Sequence, residues 1–301
     1  MEKISTIKLK NNRKKFPFSK VLFKLTKLLL VLQVLYIYVT PKIQAGNRLN
    51  LDKVLNVEDG EAGTLNLVIA HPDDEVMFFA PTLIQLLDHV ENFNVICFSN
   101  GDADGLGELR AQELKKSINY LAVNRENLQN IDVTILDHPD GPKEVWTGLV
   151  DDLKKHLKLD NGKNDFILTF DQNGISNHKN HIVCNDAVVE FKRTEAPKRV
   201  LYLELESLSM LNIVVKYIGI VPKLIQILYE SIRSWNFKPI SYLPSKCYSP
   251  RDEIITFVST FDEYALAFAA MAYGHKSQME WFRYLWWSFS RYVFINDLRP
   301  F

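Results

Sequence analysis

The sequence predicts an α/β protein with a Rossmann-like, mostly parallel sheet and helices on both faces. Two observations carry this prediction: strand-like apolar runs alternate with helix-like patterns, and each gap between the runs is long enough for a helical crossover. The composition is that of a globular protein, with 47% hydrophobic and 24% charged residues among 301. This length suits one large α/β domain with additional segments.

The predicted core spans residues 64–206. Its strand-like runs are 65–70, 94–99, 132–137, 166–170 and 200–205, and its helix-like patterns are 75–90, 106–121, 145–157 and 178–191. In an open α/β sheet of this kind, ligands bind beyond the carboxyl ends of the strands. Residues that directly follow a strand-like run are therefore the first candidates for a functional site.

The N-terminal part of the chain differs from this core. Residues 1–20 form a basic tail with seven Lys or Arg residues, and 21–40 form an apolar segment interrupted by two lysines and a glutamine. A membrane span needs about 20 residues, and lysines near its end can reach the interface. We expect 21–40 to be a single-pass transmembrane anchor, joined to the core by a linker at 41–63. A cleaved signal peptide and a buried core helix are the alternatives.

The C-terminal region, 207–301, is predicted to be a helical, membrane-associated extension of the core. Its segment 281–294 is rich in Trp, Tyr and Arg, which settle at membrane interfaces. Plain core packing is the alternative, since apolar patterning alone does not separate a core from an interface.

Net charge, cysteine spacing and the absence of sequons bear on the partners and the compartment of the protein. The formal net charge is zero, so the composition gives no reason to expect nucleic acid as a partner. Cys97, Cys184 and Cys247 lie far apart without a CxxC pair, which indicates reduced, mostly buried thiols. The sequence holds no Asn-x-Ser/Thr sequon, which favours a domain that does not face a glycosylating lumen.

The first candidate site is Ala-His-Pro-Asp-Asp-Glu at 70–75, directly after a strand-like run. His71 and the acids beside it form a costly like-charge cluster unless a positive group, most simply a metal ion, lies among them. An alternative for Asp73 and Asp74 is that they only occupy the first turn of a helix, where acids suit the helix dipole. Glu75 is predicted to start that helix or to support a ligand histidine from behind.

The second candidate site, Gly-Ile-Ser-Asn-His-Lys-Asn-His at 174–181, also follows a strand-like run. His178 and His181 are three residues apart at a helix start and can share one face, with Ser176 or Asn177 as the expected N-cap. Both sites are predicted at the same edge of the sheet.

The two sites together predict a catalytic metal centre, with zinc as the expected ion. Such a centre needs three protein ligands and one open position, and His71, Asp74 and His181 supply two imidazoles and a carboxylate. Asp73 then remains as the general base that takes a proton from water. His178 remains to stabilise an oxyanion and to protonate a leaving amine.

A third loop, 99–107, follows another strand-like run and contains three glycines, which suit a backbone close to a ligand. Asn100 and Asp102 in this loop, together with Arg110 on the next helix, are the candidate substrate-binding residues. The alternative for Arg110 is an i, i+3 surface pair with Glu113.

These motifs resemble the LmbE-like, or PIG-L, family of N-acetylglucosamine de-N-acetylases. The resemblance covers about 65–202, and 289–299 also resembles the eukaryotic members. It implies the same metal ligands, base and second histidine as above, and a divalent ion that is usually zinc. Members often carry Gly before the first histidine of the second motif, where this chain has Asn177.

The resemblance is greatest to the membrane-bound members, and it implies a glycolipid substrate. Those members remove acetate from N-acetylglucosaminyl-phosphatidylinositol, the second step of glycosylphosphatidylinositol (GPI) anchor synthesis, at the endoplasmic reticulum. No protein partner follows from the sequence.

The implied location conflicts with the charge pattern. Basic residues before the anchor would place the N-terminus in the cytosol and the core in the lumen. The resemblance implies a catalytic domain on the cytosolic face, and the missing sequons and unpaired cysteines agree, so we expect that orientation.

Three alternatives differ in chemistry. The chain could act on another acetamido sugar, or it could be a non-catalytic membrane-tethered module that binds sugar or lipid. A third alternative, an iron(II) facial-triad oxygenase, also uses two His and one acid, but such enzymes usually occupy an all-β jelly roll.

Overall fold

The alternating strands of the core form one sheet in the computed structural model, which describes residues 18–55, 62–141, 146–160, 162–195, 197–209 and 254–301. The predictions for most of the basic tail (1–17), for linker residues 56–61, for C-terminal residues 210–253 and for Cys247 lie outside the described residues.

The sheet is mostly parallel, as predicted. Its strands are β1 (Ala62–Ile69), β2 (Asn92–Cys97), β3 (Asn130–Ile135), β4 (Asn164–Phe170), β5 (Val200–Leu205), β6 (Ile255–Val258) and β7 (Ile295–Pro300). In the described residues they lie in the order β3-β2-β1-β4-β5-β7-β6. Strands β1 to β5 run parallel, while β7 is antiparallel to both β5 and β6.

This strand order contains a switch point between β1 and β4. From β1 the chain first adds β2 and β3 on one side, then returns to add β4 and β5 on the other. A crevice forms where the direction of winding reverses, and ligands of open α/β sheets bind there. The parallel α/β sheet also argues against the jelly-roll oxygenase alternative.

Helices connect the strands. They are α1 (Phe18–Leu55), α2 (Asp74–Met77), α3 (Ala80–Leu86), α4 (Gly107–Leu121), α5 (Leu149–His156), α6 (Gly174–Asn177), α7 (Lys179–Glu195), α8 (Phe261–Ala269) and α9 (Trp281–Phe289). Helices α3, α4 and α8 pack together, and α5 packs with α7. The crossover connections are right-handed, and they lead from β1 toward one edge of the sheet and later toward the other. The two groups of helices therefore lie on opposite faces of the sheet.

The helix predicted at 75–90 is two short helices instead. Helix α2 ends at Met77, and the helix is interrupted at Phe78 and Phe79 before α3 begins. Both phenylalanine rings are buried. Tertiary packing of these rings thus overrides the helical pattern of the sequence.

The chain divides into two compact units, residues 1–38 and 39–301. Helix α1 begins in the first unit and contains a candidate membrane span, Ser19–Lys42, with a mean hydropathy of 1.8. Within the described residues it is the one helix that is long and apolar enough to cross a membrane. The linker predicted at 41–63 is helical as far as Leu55.

The C-terminal region was predicted to be helical, but its described residues also contain strands. Besides α8 and α9 it contributes β6 and β7, which extend the sheet beyond β5. Trp287 and Tyr292 are buried in the core, so part of the aromatic segment packs internally. Other aromatic residues of α9 are exposed, above all Trp281 at 72%. Core packing and an exposed aromatic face therefore coexist in one helix.

Candidate active site

Two loops meet at the carboxyl edge of the sheet, where β1 and β4 end side by side. Because these strands are neighbours, the residues that follow Ile69 and Phe170 emerge close together. The candidate residues of the two loops, including the start of α7, are His71, Asp73, Asp74, His178 and His181.

The three histidines form a cluster that can hold a metal ion. One ring nitrogen from each of His71, His178 and His181 lies within 4.8 Å of the others. The Phe170 ring stacks on His181 with centroids 4.0 Å apart, which fixes the orientation of that imidazole. Residues more than a hundred positions apart are thus brought together, as the two motifs predicted.

Asp74 faces this cluster with one carboxylate oxygen. Its Oδ1 lies 3.3 Å from His181 Nε2, and its Oδ2 accepts the backbone N–H groups of Ala70 and His71 at 3.0 and 2.8 Å. Burial alone would raise the pKa of the Asp74 carboxyl, but His181, His71 and the backbone donor lower it well below its usual range. The lowered pKa keeps the carboxylate ionised, which is the form that can bind a metal ion.

The contact between Asp74 and His181 tests whether a metal ion fits. His181 Nδ1 lies 3.0 Å from the carbonyl oxygen of Gly174, so this nitrogen carries the proton. A metal-bound His181 would be neutral, with the lone pair of Nε2 directed to the ion, and this nitrogen faces a carboxylate oxygen. Two ligands of a tetrahedral zinc with bonds of about 2.0–2.1 Å lie about 3.3–3.4 Å apart. The donor chemistry and the spacing of this pair both fit a divalent ion.

His71 lies between two carboxylates. Its Nε2 is 3.3 Å from Asp140 Oδ1 and 3.0 Å from Asn180 Nδ2, and its Nδ1 is 3.9 Å from Asp74 Oδ2. Burial alone would lower the pKa of His71, but Asp140 and Asp74 raise it. The surrounding field therefore favours positive charge at this position.

Asp73 is buried and has an unusual backbone, with φ 124° and ψ −18°. Its Oδ2 accepts a hydrogen bond from the Arg283 guanidinium, which comes from α9. Burial raises the pKa of the Asp73 carboxyl, although Arg283 opposes the shift. A raised pKa suits a general base that works near neutral pH.

The loop before His178 has four consecutive residues with positive φ, from 48° at Ile175 to 61° at Ser176. This conformation is uncommon outside glycine and is a genuine outlier for a β-branched residue such as Ile175. Asp171 stabilises the loop, because its Oδ1 accepts the N–H of Gly174 at 3.1 Å and the Ser207 hydroxyl at 2.5 Å.

The N-cap of α7 is His178, not Ser176 or Asn177 as predicted. The backbone of His178 is extended and its carbonyl accepts the N–H of Ile182 at 3.1 Å, as expected of an N-cap. Asn177 has φ 58°, a left-handed conformation that Gly and Asn adopt most readily. This explains how Asn177 can occupy a position where Gly is frequent.

His178 is the exposed member of the cluster. Its ring centroid lies 5.3 Å from that of His71 and 4.4 Å from that of His181. Partial burial beside these two imidazoles lowers the pKa of His178 to about 4. An imidazole with this pKa is neutral at pH 7 and keeps one N–H donor.

Glu75 lies in the first turn of α2, as predicted, and its carboxylate contacts Asp73 rather than a candidate ligand histidine. Its Oε2 accepts the backbone N–H of Asp73 at 3.1 Å, and its Oε1 accepts the Ser117 hydroxyl at 2.5 Å. His275 Nε2 lies 2.6 Å from the same Oε1, and neither Glu75 nor His275 is exposed.

The three predicted substrate-binding residues lie in two different places. Arg110 donates to the carbonyl oxygens of Gly101 at 2.8 Å and Pro72 at 3.0 Å, which ties the third loop to the first. Asn100 and Asp102 line a neighbouring cavity of about 660 Å³. Asp102 Oδ1 also accepts the N–H of Gly107, the first residue of α4.

Four residues that were not predicted as site residues also surround the site: Asp140, Asn180, His275 and Arg283. Asn180 lies inside the second motif, so its position in that motif could have indicated a site residue. The other three come from a loop and from the C-terminal region. His275 and Arg283 contact residues 200 and 210 positions earlier, and no local pattern indicates such contacts.

Comparison with known proteins agrees with this geometry. Residues 66–192 match the family model "PIG-L: GlcNAc-PI de-N-acetylase". The chain is 41% identical to the N-acetylglucosaminyl-phosphatidylinositol de-N-acetylase of Saccharomyces cerevisiae, over 95% of this chain and 96% of the relative. It is 35% identical to the enzyme of the same name from Bos taurus, over 77% and 81% of the two chains.

A more distant likeness links the chain to a solved structure. It is 18% identical to N,N'-diacetylchitobiose deacetylase from Pyrococcus horikoshii, with a TM-score of 0.40 over 85% of this chain and 91% of that one. Family membership follows from the sequence relatives alone. The chain belongs to the PIG-L family of de-N-acetylases.

Proposed function

We propose that the chain hydrolyses the acetamide of N-acetylglucosaminyl-phosphatidylinositol to glucosaminyl-phosphatidylinositol and acetate. The observation that carries the proposal is the histidine and aspartate cluster at the β1–β4 switch point of a chain whose curated relatives are de-N-acetylases of that glycolipid. This reaction is the second step of GPI-anchor biosynthesis.

His71, Asp74 and His181 would hold a divalent ion, with zinc as the expected metal. The facing acceptors of Asp74 and His181 support this assignment. A two-His, one-carboxylate set accepts several metals, so zinc follows from the usual metal of the family rather than from the ligands. A bound ion supplies two things to such a reaction: a more acidic water molecule and a polarised carbonyl group.

Asp73 is assigned as the general base. It takes a proton from the attacking water and then transfers this proton to the leaving nitrogen. The sequence-based prediction gave this second transfer to His178. A neutral His178 has a single N–H, which it donates to the carbonyl oxygen as negative charge develops there.

Arg110 and Asp140 would bind the hydroxyl groups of the sugar. Arg110 Nη1 lies 3.8 Å from Asp140 Oδ2, and Asp140 also faces His71, so both groups border the candidate metal site. A guanidinium and a carboxylate together donate to and accept from hydroxyl groups. Asn100 and Asp102 would contact more distant parts of the substrate from the cavity that they line.

We infer that the protein works at the endoplasmic reticulum membrane, with its catalytic unit on the cytosolic face. The candidate span Ser19–Lys42 and the exposed aromatic residues of α9 support membrane association. The buried free thiols Cys97 and Cys184 agree with a reducing compartment.

Acetate release from N-acetylglucosaminyl-phosphatidylinositol by the purified full chain tests the function. We expect release that a chelator abolishes and added zinc restores. A soluble acetamido sugar, such as N,N'-diacetylchitobiose, serves as the competing substrate. Faster turnover of the soluble sugar would transfer the activity to another acetamido substrate. Binding of the glycolipid without any acetate release would favour the non-catalytic module.

A further inference from the structure

The backbone of the base, Asp73, is strained. A φ of 124° at a non-glycine residue lies in a region that side-chain-bearing residues rarely adopt, and it persists only where surrounding contacts hold it. Asp73 also precedes the first turn of α2 without capping that helix through its own side chain. Its carboxylate is thereby left free for another role, and something else must fix its position.

Glu75 fixes the backbone of Asp73. One carboxylate oxygen accepts the Asp73 N–H at 3.1 Å, and the other is held by Ser117 at 2.5 Å and His275 at 2.6 Å. His275 is fully buried and is itself fixed by Gln278, whose Nε2 lies 2.9 Å from His275 Nδ1. The Glu75 carboxylate therefore has a single orientation, and that orientation depends on a residue 200 positions later.

Arg283 fixes the side chain of Asp73. Its guanidinium donates to Asp73 Oδ2 and to Met77 Sδ, so it spans the first turn of α2. The side chains of Arg283 and Asp73 are only 17% and 8% exposed, so water screens this pair weakly. Arg283 lies on α9, the helix with the exposed aromatic face.

We propose that the C-terminal segment, through His275 and Arg283, is the positioning element of the catalytic base. His275 acts on the Asp73 backbone through Glu75, and Arg283 acts on its carboxylate directly. Neither is a catalytic residue, and the proposal rests on the function assigned to Asp73 above. Two independent contacts from this segment act on Asp73, the residue of the first loop with a positive φ. Packing of the segment against the core would not by itself require both contacts.

The test compares Arg283→Ala, Arg283→Lys and Arg291→Ala in the full chain. Arg291 is the matched control, because it lies in the same region, is equally buried and pairs with Asp297 at 2.6 Å. We expect Arg283→Ala to lower kcat for acetate release by about 10- to 100-fold, since a misplacement of about 1 Å can cost 10²-fold. KM and metal content should change less than threefold. Arg283→Lys should recover part of kcat, and Arg291→Ala should keep kcat within about twofold.

A double mutant separates positioning from a structural role. If Arg283 acts through Asp73, Arg283→Ala should have no further effect in an Asp73→Asn background. An equal fall of kcat in both backgrounds, or equal effects of Arg283→Ala and Arg291→Ala, would overturn the proposal.

Hydrogen exchange separates this proposal from the proposed function, because it needs no turnover. Peptides that cover 70–78 should exchange faster in Arg283→Ala and in His275→Ala, and at the wild-type rate in Arg291→Ala. Unchanged exchange in the first two variants would refute the positioning role even in an active enzyme. Faster exchange in the two variants, together with no acetate release by the wild type, would retain the positioning role and reject the function.

Discussion

Asp73 and Asp74 are neighbours in the sequence, but their surroundings give them opposite properties. Asp74 faces His181 and backbone donors, which lower the pKa of its carboxyl, whereas burial raises the pKa of the Asp73 carboxyl. Two carboxyl groups whose environments push their pKa values apart are typical of a site that divides its acids between separate tasks. The structure thus provides a physical reason for the different roles proposed for two identical side chains.

Substitution of each aspartate by asparagine should separate these roles. Asp73→Asn should lower turnover by about 10²- to 10⁴-fold, the usual contribution of a general base, and keep the bound metal. Asp74→Asn should lose metal as well as turnover, because it removes a charged ligand. Acetate release and metal analysis on the same preparations measure both effects. Near-normal turnover of Asp73→Asn would contradict the assigned base.

Gly174 has a second requirement besides its positive φ of 55°. A Cβ at this position would lie 2.7 Å from the backbone nitrogen of Ile182 and 3.0 Å from the Cβ of His181. The carbonyl of the same residue orients the His181 ring. Any displacement of Gly174 therefore reaches a candidate metal ligand directly.

Gly174→Ala should destabilise the fold and weaken metal binding together. Gly105→Ala is the matched control, since Gly105 has φ 72° but no heavy atom within 4 Å of the added Cβ. The control should cost about 1 kcal/mol for the backbone alone, and Gly174→Ala about 1–3 kcal/mol more for the clash. Urea unfolding and metal titration measure both effects. Equal costs at the two positions would show that the close approach is relieved elsewhere.

At the scale of elements, the parallel part of the sheet could be predicted from the sequence, but β7 could not. The apolar runs of β1 and β4 are distinct from the helical patterns beside them. Strand β7 has the sequence Ile-Asn-Asp-Leu-Arg-Pro, which is poor in strand-forming residues. It becomes a strand because Ile295 and Leu298 are buried against the sheet and β5 offers a free edge.

Helix α9 combines a buried and an exposed aromatic side. Trp287 is buried, whereas Trp281, Tyr284 and Phe289 are each more than half exposed. These three residues recur at intervals of three and five, so they lie along one broad stripe of the helix. An exposed stripe of this kind suits contact with a membrane interface.

This stripe should insert into lipid at the position of Trp281. In vesicles with brominated acyl chains, we expect the fluorescence of the wild type to be quenched. Trp281→Phe should remove much of the fluorescence that the brominated lipid quenches. Trp146→Phe, at a residue that is 6% exposed, should leave this quenching unchanged. Quenching that persists fully in Trp281→Phe would place the lipid contact elsewhere in the chain.

At the scale of the whole molecule, the candidate metal ligands could be predicted from the sequence, but the contacts that position Asp73 could not. His71, Asp74 and His181 follow two predicted strands, and parallel topology brings strand ends to one edge. His275 and Arg283 reach the site through tertiary packing of the C-terminal region. Such contacts join distant parts of the chain and leave no periodic trace in the sequence.

The orientation of the catalytic unit sets two physical arguments against each other. Six basic residues precede the candidate span and Lys20 lies at its start, which favours a luminal catalytic unit by the positive-inside rule. The free thiols of Cys97 and Cys184 favour the cytosol, which is also the side that the family resemblance implies. We give more weight to the second argument, because charge bias is a statistical preference that other parts of a chain can override.

Protease protection in sealed microsomes decides the orientation. We expect the catalytic unit to be degraded without detergent. As an independent measurement, Glu126→Ser creates the sequon Asn-Arg-Ser at Asn124, an exposed residue in the loop after α4. This site should stay unglycosylated in cells, since Asn-x-Ser is modified only in the lumen. Protection until detergent is added, together with glycosylation at Asn124, would place the catalytic unit in the lumen and make the positive-inside rule the stronger argument.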